Sequence, residues 1–170
     1  MEIVVNDTNI LIDLFNAGLL PYCKQLNLEF RTLDLIMNEI SVVEQREAVQ
    51  AIVDEGTLKV FSLSGEQVGK VYLKISEYQG VCNLSPEDIS VMVYAIDNNC
   101  RLLTGDKKLK DKATLENVKV SGILYLTDLL AKETDISNAS MIEALERLLN
   151  SNNRLPKKLI KERIEALKRQ

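Results

Sequence analysis

Apolar side chains recur along this chain with two periods, and the two periods alternate in blocks. Residues 2–5 form a β-branched run that stops at Asn6-Asp7-Thr8, after which Ile10, Leu11, Leu14 and Phe15 recur at helical spacing until Gly18. The pattern reads as strand, turn, helix. Beyond a loop at Pro21, residues 29–32 make a brief candidate strand. Ile36, Ile40, Val43, Val49 and Ile52 then form the apolar side of one long helix predicted over about residues 35–55, with Gly56 as its stop. Residues 57–63 read as a strand and residues 66–79 as a helix. Ser85-Pro86-Glu87-Asp88 opens the next helix, with Ser85 suited to the N-cap, Pro86 to the first helical position and Asp88 to the third position of a capping box. Its buried stripe is Ile89, Met92, Val93 and Ile96. Residues 101–104 read as a strand closing at Gly105-Asp106, residues 107–116 as a weaker helix, and residues 118–126 as holding another strand. Helices are expected to begin over residues 127–131 and to run from 137 to 149, and an asparagine-rich loop at residues 150–153 precedes a final amphipathic basic helix.

Strands alternating with helices imply right-handed crossovers and a mainly parallel sheet covered on both faces, so the fold class is α/β. Functional sites in such sheets lie at the carboxyl ends of the strands. A chain of 170 residues, 46% hydrophobic, fits one compact domain with an appended element, here residues 1–133 as the core and residues 134–170 as a C-terminal helical extension with a basic tail. No stretch approaches the roughly 20 apolar residues that span a bilayer. The first residues lack a basic region followed by a long apolar one, so a cytoplasmic protein with no membrane partner is expected.

Charge is unevenly placed. Residues 154–170 hold seven of the 21 Lys and Arg but two of the 25 Asp and Glu, which leaves an acidic body with a basic tail. Such a body does not attract a phosphate backbone at long range, and nucleic-acid binding would need metal ions, local lysines or the tail. Cys23, Cys82 and Cys100 are odd in number and far apart, which points to reduced packing residues. The chain has no histidine, and this removes the usual general base, the Ser-His and Cys-His pairs and the imidazole ligands of zinc hydrolases. Hydrolytic chemistry here must therefore use carboxylates, whose hard oxygens suit magnesium or manganese.

Asp7 and Asp106 each follow a strand, so in a parallel sheet both point to one rim, within reach of each other if their strands are neighbours. Either is equally explained as a helix N-cap. Asp88 has its capping box as a sufficient role, yet it shares a helix face with Met92 and Ala95, whereas Asp97 lies half a turn away, toward solvent. Glu39 lies beside Ile36 and Val43, but a single helical Glu is ordinarily a solvated residue. Carboxylates gathered in a cleft raise one another's pKa and stay ionised only with a cation among them. The hydroxyls of Thr8 and Thr104 are placed to orient a carboxylate, a water or a phosphate, although threonine at a strand end also follows from β-propensity.

Asp7-Thr8-Asn9 after the first strand, Glu39, and the run from Leu84-Ser85-Pro86-Glu87-Asp88 through Ala95 to Leu103-Thr104-Gly105-Asp106-Lys107 together resemble the PIN-domain family over roughly residues 3–130. The resemblance implies a three-layer α/β/α fold with a parallel five-stranded sheet. It also implies a metal-dependent ribonuclease like the toxins of toxin-antitoxin modules, with Asp7, Glu39, Asp88 and Asp106 holding Mg2+ or Mn2+. Thr8, Asn9 and Thr104 become the substrate-binding candidates, and RNA, an antitoxin protein and a second copy of the chain the expected partners. The proline often found before the second acid is absent here, and Asp111 is the candidate for the extra acid of some members.

Two other readings compete. Aspartyl phosphotransfer is disfavoured, because Asn9 stands where a dehalogenase-like enzyme has a second Asp and Asn6-Asp7 gives one acid where a receiver domain has two. A PIN-like binding module with little or no catalysis is motivated by the basic tail, where Lys157, Lys158, Lys161, Arg163, Lys168 and Arg169 surround Leu159, Ile160, Ile164 and Leu167. An amphipathic helix packed on its own domain or on a sister subunit explains that tail as well.

Overall fold

The computed structural model describes residues 1–152 and 154–169; Asn153, part of the predicted asparagine-rich loop, lies outside the described residues. Strand β1 (Glu2–Asn6) occupies the middle of a five-stranded sheet, flanked by β2 (Leu28–Leu33) and β4 (Arg101–Leu103), with β3 (Leu58–Phe61) and β5 (Val120–Ser121) at the edges. Every pairing is parallel and the order is β3-β2-β1-β4-β5. The expected α/β class and five-stranded sheet are thus present. Val4, Val5, Leu33, Leu102 and Leu103 are fully buried, as expected where helices cover both faces of a parallel sheet.

The first crossovers place α1 (Thr8–Ala17), α2 (Asp34–Glu39) and α3 (Val43–Asp54) on one face, where α7 (Ile123–Glu133) and α8 (Asn138–Ser151) later join them. The other face carries α4 (Gly65–Tyr78), α5 (Pro86–Asp97) and α6 (Lys107–Leu115). Helix α5 is the central one, with every side chain from Ile89 to Ala95 buried. Gly18 ends α1 at φ 72, and there the Leu19 N–H reaches the Leu14 carbonyl at 2.8 Å, a closure that favours a residue without a Cβ.

The structure corrects the sequence reading in two elements. The single helix expected over residues 35–55 is two helices, because the run Ile40-Ser41-Val42-Val43 is rich in β-branched residues, and Ile40 leaves the helix with extended backbone (φ −74, ψ 96) to bury its side chain completely. The Arg46 guanidinium donates to the freed Ile40 carbonyl at 2.9 Å. Residues 118–126 hold the expected strand only at Val120–Ser121, and the helix expected to begin over residues 127–131 begins at Ile123, since Ile123, Leu126, Thr127 and Leu130 are buried at helical spacing in α7. The Pro21 loop contains a 3-10 helix, Leu20–Gln25.

Helix α8 packs against α1, and α9 (Lys157–Lys168) packs on α8. Met141, Ala144, Leu145, Leu148, Ile160 and Ile164 join the same core as the sheet, and Arg163 bonds Asp128 of α7 at 2.6 and 2.7 Å. The basic tail is therefore a helix seated on its own domain. Leu148→Ala, at a site with no exposure, is expected to cost about 2–5 kcal/mol of stability, read from the shift of a denaturant midpoint.

Candidate active site

Strand β1 runs directly into α1, so Asp7 sits in the turn with extended backbone (φ −81, ψ 158) and caps the helix. Asp106 caps α6 in the same way after β4, its Oδ1 accepting from the Leu109 N–H at 2.8 Å. Strands β1 and β4 are neighbours, and the Asp7 N–H donates to the Leu103 carbonyl at 3.0 Å, which ties the two turns together. The chain builds outward from β1 through β2 to β3 and then returns to β4 on the other side of β1. This reversal of strand order opens the crevice in which parallel sheets bind ligands.

The Asp7 side chain, 4% exposed, accepts from the Thr8 N–H at 2.7 Å, from Thr104 Oγ1 at 2.7 Å and from Asn9 Nδ2 at 2.5 Å. Thr104 Oγ1 in turn accepts from the Asp106 N–H at 3.0 Å, so one buried hydroxyl links both acids. Asn9 spans the same gap, its Oδ1 accepting from the Gly105 N–H at 2.6 Å. A Cβ at Gly105 would lie 3.1 Å from that oxygen, which leaves little room for any side chain there.

Glu39 ends α2 and receives the Thr8 hydroxyl hydrogen bond. Asp88 forms the expected capping box, accepting from the Ser85 N–H at 2.9 Å while its own N–H donates to Ser85 Oγ at 3.0 Å. Burial pushes the Asp7 carboxyl up to about 6 from an ordinary value near 3.8. The Thr104 and Thr8 hydrogen bonds oppose that rise, and the negative charges of Asp88 and Glu39 add to it. Asp7, Asp88 and Glu39 therefore share one electrostatic neighbourhood; Asp106 is tied to Asp7 through Thr104 by its backbone N–H, while its carboxylate accepts from the Leu109 N–H. Among the described residues, no group of three acidic or cysteine side chains is drawn together tightly enough to hold one ion. Asp97 lies outside this neighbourhood, held by Lys70 at 3.0 Å, and Asp111 is exposed on α6.

Two further polar residues that were not candidates from sequence, Asn6 and Asp34, stand at these strand ends. Asn6 is fully buried, donates to the Arg31 carbonyl at 3.0 Å and carries a buried Oδ1 without a hydrogen-bond partner. Its only sequence signal is its place at a strand end beside Asp7. Asp34 is the first residue of α2 after β2; its side chain accepts from the Leu35 N–H at 2.7 Å and from the Ser62 hydroxyl, adding a carboxylate to the same edge of the sheet.

Residues 3–169 match the family model DUF3368, described as a PIN domain. The chain belongs to the PIN-domain family. Helices α8 and α9 fall within that match. This PIN domain is also similar to PAE2754 from Pyrobaculum aerophilum, at 20% identity and TM-score 0.51 over 77% of this chain and 97% of that one. VapBC-1 from nontypeable Haemophilus influenzae is similar at 17% identity and TM-score 0.50, over 72% of this chain and 98% of that one. Both likenesses concern the fold. A search of curated proteins found no match. PIN domains are typically nucleases, and they generally use divalent metals. The donor set of this PIN domain fits such an ion, because its acids are hard oxygen ligands and its buried carboxylate is crowded by like charge. Among the described residues, no helix is long and apolar enough to cross a membrane.

Proposed function

We propose that this PIN domain is a metal-dependent endoribonuclease that hydrolyses RNA phosphodiester bonds, with Asp7, Glu39, Asp88 and Asp106 holding Mg2+ or Mn2+. The observation that carries this reading is the buried Asp7 carboxylate, set at the reversal of strand order and pushed up by burial and by Asp88 and Glu39. A divalent cation supplies the positive charge that lets these acids ionise together, offsets the charge of a phosphodiester and activates water near neutral pH. The remaining work belongs to the chain. Thr104 and Asn9 fix the Asp7 carboxylate, the Ser85 box fixes that of Asp88, and the Thr8 hydroxyl orients Glu39. With no histidine in the chain, carboxylates are the groups in this site suited to accept a proton near neutral pH.

The toxin resemblance adds an antitoxin protein and a homodimer as partners, cytoplasmic action and a 5'-phosphate product to the proposal. Purified protein is expected to cut RNA with Mn2+ or Mg2+, to stop in EDTA and to stop when Asp106→Asn is introduced. Cleavage that persists in EDTA or in that variant overturns the mechanism. RNA binding without cleavage under every metal condition would favour the alternative, a binding module.

A further inference from the structure

A cleft of about 460 Å³ opens beside the acidic rim. Thr104 and Asp106 stand at its rim end, Lys107 and Lys110 of α6 line one wall, and the α8–α9 loop brings Arg154 and Leu155 to the other. We propose that this cleft is the path of the RNA backbone away from the cleavage site, with Lys107, Lys110 and Arg154 as its phosphate contacts. The proposal deepens the nuclease reading and rests on it for the identity of the substrate.

Charge is the first argument. The acidic body gives RNA no long-range attraction, so local cations must supply it, and this cleft begins at a rim acid and continues over three of them. Asp111 also lines the cleft, so cations outnumber acids three to two. Lys107 and Lys110 are exposed and, among the described residues, enter no ion pair.

Anchoring is the second. Asp13 is 3% exposed on α1, the helix that Asp7 caps, and it accepts from Asn152 Nδ2 at 3.0 and 3.2 Å. Asn152 Oδ1 accepts from the Arg154 N–H at 2.9 Å. Burial raises the Asp13 carboxyl, while the Asn152 bond and the charge of Arg154 oppose the rise. The loop that carries Arg154 is thus fastened to the helix that carries the catalytic end of β1.

Surface chemistry is the third. Leu124, Leu155 and Leu159 add an aliphatic wall, and Leu159 is 44% exposed although it borders cationic side chains. Alternating cationic and apolar surface matches a single strand, which offers phosphates and the faces of sugars and bases in turn.

The test uses the full chain carrying Asp7→Asn, so that binding is read without cleavage, and a short labelled single-stranded RNA titrated over a range of KCl concentrations. Adding Lys107→Ala, Lys110→Ala and Arg154→Ala together is expected to raise Kd about tenfold or more and to lower the slope of log K against log salt by about 2. The lysine pair alone, both exposed and away from Asp13, should lower the slope by about 1.4 with the melting curve unchanged. Lys157→Ala, Lys158→Ala and Lys161→Ala on the outer side of α9 should leave Kd within about twofold of its parent. An unchanged slope in the cleft variants, an equal loss in the α9 variant, or no RNA binding by the parent overturns the proposal. A wild-type chain that cuts RNA while the cleft variants bind normally refutes the cleft alone. Cleft-dependent binding by a wild-type chain that never cuts refutes the nuclease reading alone.

Discussion

Asp7→Asn is expected to remove RNA cleavage and, in the same protein, to make the metal-free chain harder to unfold at neutral pH. Losing one acid from a site that supplies several kcal/mol of charge stabilisation costs on the order of 10³-fold in rate. The stability gain follows from the raised Asp7 pKa. Because the folded value of about 6 lies above the ordinary 3.8, the fold binds a proton that the unfolded chain releases between those values. Metal-free stability therefore falls as pH rises from about 4 to about 6 and remains lower above that. The penalty is about 2–3 kcal/mol at pH 7 for a side chain this buried. Asparagine carries no charge and escapes it, but an amide nitrogen in place of Oδ2 no longer accepts from Asn9 or from Thr104, at a cost of about 1–2 kcal/mol. A net gain of about 1 kcal/mol remains, or roughly 2–4 °C in Tm for a chain of this size. The measurement is thermal unfolding in EDTA at pH 4.5 and pH 7.5, where wild type should lose stability across the interval and the variant should not. Added Mn2+ should raise the wild-type Tm at pH 7.5 by more than it raises that of the variant. A variant less stable than wild type at pH 7.5 would contradict the account.

Thr104→Val is the second large effect, because one buried hydroxyl serves both strand ends. Valine keeps the shape but removes the donor to Asp7 and the acceptor for the Asp106 N–H. A lost hydrogen bond to a carboxylate costs about 1.5–3 kcal/mol, and the stranded N–H adds to that. Activity is expected to fall about 10–100-fold, the scale seen when a partner of a metal-binding group is removed. The Thr104 bond also holds the Asp7 carboxyl down, so its removal should move the acid limb of the pH–rate profile to higher pH. Thr104→Ser should restore rate and profile, which separates the hydroxyl from the packing. An unchanged profile in the valine variant would leave Thr104 a purely structural residue.

What could be read from sequence was whatever is settled by neighbours in the chain. The Ser85–Asp88 capping box and the Gly18 stop each depend on a few consecutive residues, and both are present as expected; the stripe expected on α5 is not, because the helix is buried all round from Ile89 to Ala95 while Ile96 is only half-buried. The proximity of Asp7 and Asp106 was legible only as a condition, because it depends on β4 lying beside β1 across a crossover from the far edge of the sheet. The break at Ile40 was hidden because Ile36, Ile40 and Val43 keep helical spacing while the backbone between them does not stay helical. Periodicity reports which side chains are buried before it reports the path that buries them. The Asn9 bridge was equally invisible, since its partners Thr104 and Gly105 lie almost a hundred residues on.

The positions of the acids on their helices have one more consequence. Asp7 and Asp106 are N-caps and Asp88 is the third residue of its helix, so three helices begin at the rim, each turning the positive end of its dipole toward it. That backbone field partly offsets the carboxylates and gives an approaching phosphate something to be drawn to. Glu39 stands alone at the negative end of α2, where a carboxylate is least favoured. The rim thus meets an incoming phosphate with three helix N-termini and leaves Glu39 as the one acid of the four whose charge no helix start offsets.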